Sequence, residues 1–266
     1  MTTTIKIRPA ARGGKFLGHD AAAVNSGYSA MAAILDIETF EVIDAGFVNA
    51  NPPADPGPPA LMEPISRSEP FVTDPTTVSI TLKVDIDRPT TFLIAVAGPL
   101  SFAYQDRVSL GAVTVLPGIN IGDDGNLPEG LVFEIPGLCI SDVHSILSGN
   151  QLSAFATVTM MCGCKISTAP PPVYWPPTDF DISLVARTSK NVSYKFPMSF
   201  DTKVPSSFSG SWANPAPEDT IVEAWISASQ PKLGNQGTYM IISRGNDQKQ
   251  DMLIKKISDF LKQDKK

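Results

Sequence analysis

Cysteine and histidine are scarce in this chain, three and two residues among 266, and each shortage closes off chemistry. An odd number of cysteines cannot complete a disulfide framework within one chain. Cys139 could pair with Cys162 or with Cys164, but reduced thiols are the expectation, because the start "MTTTIKIRPAARGGKF" has no apolar secretory core behind its basic residues. His19 and His144 stand far apart and belong to no metal-ligand spacing, so a Cys–His nucleophile would need a third orienting group that the sequence does not suggest. There is no G-x-S-x-G elbow, Walker loop or dinucleotide fingerprint. The expectation is a protein that is not an enzyme and carries no cofactor.

Long apolar runs are also missing. The longest, "FLIAVAGPLSFAY" from Phe92 to Tyr104, is too short to span a bilayer and is interrupted by Gly98-Pro99. No membrane span is expected, and the chain reads as cytoplasmic at synthesis. Charged residues make up only 18% of the sequence, and their placement is uneven. Residues 1–16 carry +4, residues 17–158 carry −13, residues 159–243 balance, and residues 244–266 carry +3. An acidic body with basic ends is poorly suited to nucleic acid, which needs a basic face.

Proline is plentiful, with 24 residues, and so is period-two alternation. In "TVSITLKVDI", Val78, Ile80, Leu82, Val84 and Ile86 share one side of a half-buried antiparallel strand. "TTFLIAVAGPL" follows the turn former "DRPT" as the second arm of a hairpin or as a sandwich corner. Further strand candidates are "SAMAAILDIETFEVIDAGFV" (strand, turn, strand), "RVSLGAVTVLPG", "GLVFEIPGLCISDV" and "LSAFATVTMMC". Beyond "STAPPPVYWPPTD" come "FDISLVAR", "VSYKFPMSF", "TIVEAWISASQP" and "QGTYMIISR", the last two joined by a "KLGN" turn.

This spacing predicts an all-β protein of two tandem antiparallel β-sandwich domains closed by a C-terminal amphipathic helix. The expected divisions are a basic N-terminal arm at 1–16, an acidic sandwich at 17–148, a second sandwich at 149–244 and a basic helix at 245–266. The junction is placed in "HSILSGNQ", His144 to Gln151, where turn formers coincide with the loss of acidity. In the terminal segment the period changes to helical. Leu253, Ile257, Phe260 and Leu261 share a face, with Ile254 beside it, and these four together with Lys255 and Lys256 are the expected interaction site.

"GGKFLG" near the start, "GPL" after residues 92–97, "LPG", and "MMCGC" before an aromatic-proline loop make the chain similar to uncharacterised bacterial tandem sandwich proteins. Each domain resembles the immunoglobulin-like or transthyretin-like class. The resemblance implies a fold and no activity.

Three clusters deserve weighing against plain structural roles. In "VTMMCGCKIS", strand alternation would put Met160, Cys162 and Cys164 on one face, three soft ligands of a kind that suits Cu(I). Methionine and cysteine are equally at home in a core, and the buried strand is the favoured reading. "NIGDDGNLPEG" groups Asp123, Asp124 and Asn126 as calcium-type oxygens, or simply as a turn. Tyr174, Trp175 and Trp212 could line a sugar-binding face, although aromatics beside proline loops more often seal the end of a sandwich. The expected function is a non-catalytic structural or protein-interaction module that self-associates through its basic ends and acidic first domain. The expected partner is a second copy of the chain or another protein. A Cu(I)-type binder and a carbohydrate-binding module are the alternatives.

Overall fold

The structure is a computed structural model and describes residues 1–13, 17, 30–47, 79–99, 107–122, 125–127, 130–161, 163–168, 175–216 and 218–242. These residues are almost entirely β, with several sheets and a single 3-10 turn at Pro177–Asp179. They fall into two compact units, the first ending at Ile135 and the second beginning at Pro136.

The first unit contains β1 (Thr2–Ala11), β2 (Met31–Asp36), β3 (Val42–Phe47), β4 (Ile80–Asp85), β5 (Thr90–Gly98), β6 (Arg107–Val115) and β7 (Leu131–Ile135). Two sheets form, in the orders β4-β1-β7 and β3-β2-β5-β6. Alternation in β4 behaves as the sequence suggests: Ile80, Leu82 and Val84 are buried while Thr81, Lys83 and Asp85 face out. Because β4 and β5 belong to different sheets, the "DRPT" turn makes a sandwich corner and not a hairpin. In β2 and β5 both faces are buried, and Met31, Ala33, Leu35, Ala95 and Ala97 form an apolar cluster on one of them. That is why these strands read as unbroken apolar runs. Asp36 accepts N–H bonds from Glu38 and Thr39 at 2.9 and 2.7 Å, which closes the β2–β3 turn.

Within the expected basic arm, Thr2–Ala11 form a strand. β1 is the middle strand of its sheet, antiparallel to β4 over residues 2–7 and parallel to β7 over residues 7–11. Ile5 and Ile7 are fully buried, and Arg8 is 1% exposed. Threonines and basic residues masked the alternation, although threonine suits a pleated surface as well as valine does.

The second unit contains β8 (Leu138–Ser148), β9 (Gln151–Met160), β10 (Asp181–Thr188), β11 (Ser193–Pro197), β12 (Ser199–Phe200), β13 (Ser207–Ala213), β14 (Ile221–Gln230) and β15 (Asn235–Ile242). Its sheets run β12-β13-β9-β8 and β11-β10-β14-β15. β11 and β12 are one run of chain that changes sheet at the buried Met198. The "GLVFEIPGLCISDV" stretch, expected as one strand, breaks at Pro136-Gly137 into β7 and β8, one in each unit. Residues 144–151, expected to join two domains, close a hairpin inside the second unit. β8 and β9 are antiparallel and meet through a two-residue turn, Gly149-Asn150, with Gly149 at φ +56°. Glycine at the first turn position is what a type II′ hairpin calls for. The terminal helix at 245–266, with Leu253, Lys255, Lys256, Ile257, Phe260 and Leu261, lies outside the described residues.

Candidate functional site

Strand parity builds a mixed polar and apolar outer face on the second unit. Along β9, Leu152, Ala154, Ala156, Val158 and Met160 are buried, so Gln151, Ser153, Phe155 and Thr157 face the other way. Register then fixes their neighbours. Ser211 and Ile146 flank Ser153, Ser209 and His144 flank Phe155, and Ser199 lies beyond Ser209. The result is an outer face of hydroxyls with a phenyl, an imidazole and an aliphatic side chain among them.

An open groove of about 570 Å³ runs over this face, bordered by His144, Ile146, Phe155, Pro197 and the serines at 153, 199, 209 and 211. The hydroxyls are linked: Ser153 and Ser211 share a hydrogen bond at 2.9 Å, and Gln151 Nε2 donates to Ser211 at 3.1 Å. His144 lies tilted against Phe155, ring centroids 6.2 Å apart. Among the described residues no lysine, arginine, aspartate or glutamate borders the groove, so it suits neutral matter. Ile146, beside it on the outer strand, is 69% exposed, and Leu147 is 44% exposed. The S-x-S-x pattern at 207, 209 and 211 was the available signal for this face, but serine and glycine read more readily as loop than as strand.

The sulfur cluster is arranged differently from the expectation. After Met160 the chain turns instead of continuing the strand: Gly163 N–H donates to the Met160 carbonyl at 2.8 Å, and Met160 N–H donates to the Cys164 carbonyl at 3.1 Å. Gly163 sits at φ +80°, a conformation glycine adopts without strain. Alternation therefore does not carry past Met160. Met160 and Met161 are both buried, and Met161 receives the Cys139 thiol at 3.5 Å. Cys162 lies outside the described residues. Among those described, no cluster of three or more His, Cys, Asp or Glu is placed to hold a metal. His144 and Cys139 are kept apart: Cys139 pairs with Thr159 at the start of β8, while His144 belongs to the exposed half beyond a bulge.

Trp175 and Trp212 do not form an exposed sugar platform. They are 8% and 6% exposed, and Trp212 is stacked on Phe196 with Tyr194 tilted against it. Tyr174 lies outside the described residues, as do Asp123 and Asp124. Around that acidic pair the loop is closed by its own backbone, with Asn126 N–H on the Asn120 carbonyl at 2.8 Å. The Asn120 side chain accepts from Thr4 N–H at 2.9 Å, which ties the loop to β1.

Two carboxylates in the second unit are held below their ordinary pKa. Lys195, at 2.7 Å, lowers Asp181 by hydrogen bonding to it, helped by Ser183. Burial works to raise Asp219, but hydrogen bonds from Ser189 and Thr188 and the Lys190 N–H and charge outweigh it. Both serve loop and strand ends, and neither lines the groove. Among the described residues no helix is long and apolar enough to cross a membrane.

No family model matches the chain, and no curated protein matches it. Among solved structures, a DUF3823 family protein from Bacteroides ovatus is similar at 10% identity, covering 90% of this chain and 97% of that one with a TM-score of 0.30. Another DUF3823 family protein, from Parabacteroides merdae, is similar at 9% identity, covering 91% and 97% with a TM-score of 0.29.

Proposed function

We propose that the chain is a non-catalytic interaction module, two tandem sandwiches of immunoglobulin-like or transthyretin-like type, that associates with copies of itself. The observation that carries this reading is the apolar pair Ile146 and Leu147, exposed on the outer strand of a sheet beside a neutral groove. Exposed apolar surface next to a rim of small polar residues is the composition of a contact surface. Charge supports it from a distance: with β1 folded into its sheet, residues 244–266 supply the basic partner for the acidic first unit. Complementary charge of that kind speeds encounter and sets register more than it adds affinity. Light scattering on the full chain, across protein and salt concentration, tests the reading. Concentration-dependent oligomers are expected; a monomer at every concentration overturns it.

A second reading has one observation in its favour. Among the described residues the groove is lined by serine hydroxyls and the Phe155 and His144 rings, with no carboxylate, lysine or arginine, which fits a neutral polyhydroxyl ligand such as a glycan. Titration with neutral oligosaccharides, read by shifts of the His144 ring protons, separates the two. Shifts that saturate would favour the ligand, and unchanged signals would remove it.

A further inference from the structure

We infer that two copies join edge to edge through β8, antiparallel, with Ile146 facing Ile146 of the second copy across a two-fold axis. This rests on the self-association proposed above and names its seam. β8 is the outer strand of its sheet, and His144 to Ser148 are all exposed. Outer strands are ordinarily guarded by charge, proline or brevity. Lys83 stands in β4, Lys195 and Pro197 in β11, and β12 has two residues. The stretch Val143–Gln151 has no lysine, arginine, aspartate, glutamate or proline. β15 is also uncharged, but it lies against the start of β8, where a methyl on Gly237 would come within 2.5 Å of the Leu138 carbonyl oxygen.

Register follows from the hairpin. A two-residue turn makes Ser148 and Gln151 a hydrogen-bonded pair, and bonded and non-bonded pairs alternate from there. Leu147 opposite Leu152 and Ser145 opposite Ala154 are then the non-bonded pairs, so the N–H and C=O groups of Ser145 and Leu147 point away from β9. The register that uses both residues sets Ser145 against Leu147 and Leu147 against Ser145; centring on Ser145 or on Leu147 instead would run the ladder into the bulge or the turn. The residue between them, Ile146, meets itself in a non-bonded pair, where side chains approach most closely.

Parity, exposure and charge thus converge on one residue. The pairing has a natural limit, because the register shifts between Ser141 and His144 and Asp142 sits at φ +48°. A bulge of this kind bends the edge away and ends the ladder. The join is isologous and closes at two copies. It merges the two outer faces into one, and the paired isoleucines stand on the groove side, since Ile146 shares its face with Ser153.

Cross-linking tests the register. In a full-length Cys162→Ser/Cys164→Ser background, Ile146→Cys should give a disulfide-linked dimer under mild oxidation. Ser145→Cys and Leu147→Cys should not, because each lies two residues out of register with its own copy, beyond disulfide reach. Ile146→Lys should weaken association at least tenfold while leaving the circular dichroism spectrum unchanged. Oligomers in solution with equal cross-linking at 145, 146 and 147, or undiminished by Ile146→Lys, would overturn this seam and leave self-association standing. A wild-type monomer throughout would overturn both.

Discussion

Trp212 stacks on Phe196 with ring centroids 4.6 Å apart and planes 24° from parallel, and Tyr194 lies against the same indole at 5.0 Å. β13 and β11 belong to different sheets, so this aromatic group bridges the two layers of the second unit. It is core, and its chemistry is packing.

Trp212→Ala should therefore destabilise the second unit by about 3–5 kcal/mol, the usual loss for truncating a buried large aromatic. Denaturant unfolding followed by circular dichroism measures it. A loss under about 1 kcal/mol would place the indole outside the core.

Gly237→Ala should cost about 1–3 kcal/mol, the range for forcing atoms into a packed site. Its new methyl would sit 2.5 Å from the Leu138 carbonyl oxygen, a backbone atom with little room to yield. An unchanged midpoint in urea would show that β15 and the start of β8 are less tightly held than the structure has them.

Strand alternation made much of this fold legible. The pattern of β4 predicted which side chains are buried, "LSAFATVTMMC" was read as a strand and contains most of β9, and "KLGN" predicted the β14–β15 turn. What escaped depends on distant pairing. β1 became a central strand because Ile5 and Ile7 find β4 and β7, partners about 75 and 125 positions away that no local pattern reveals. Gly149-Asn150 has the same composition in a hairpin as in a linker, and only the β8–β9 ladder decides between them. The groove was hardest to see. Its serines on β12 and β13 look like loop residues until β9 lies beside them, and Ile146 gains meaning only when β8 proves to be an outer strand.

Acid should weaken the fold in a defined window. Asp36, Asp181 and Asp219 all have pKa values lowered from 3.8 in the folded state: Asp36 by the Thr39 and Glu38 N–H groups, Asp181 first by Lys195, and Asp219 by bonds that outweigh burial. Groups with depressed folded pKa values contribute stability that is present above the unfolded value and lost as pH falls through the folded one. The urea midpoint should thus be flat above about pH 5 and decline below about pH 4. Asp219→Asn should lower the neutral midpoint and make that decline shallower. The same slope in the variant would remove Asp219 from the account.

Cys139 should resist thiol reagents in the native protein and react on unfolding, since it is buried against Met161. Met161→Ala should cost about 2–5 kcal/mol. Rapid native labelling of Cys139, followed by peptide mapping, would show that the sulfur cluster is open and would restore interest in a soft-metal role.

Amide hydrogen exchange of residues 143–148, measured at low and high protein concentration, tests the central claim most directly. The Ser145 and Leu147 amides should exchange quickly in dilute solution and slow markedly as concentration rises, because pairing through β8 gives each a carbonyl partner. Equal rates at both concentrations, in a sample that light scattering shows to be associated, would contradict the β8 seam.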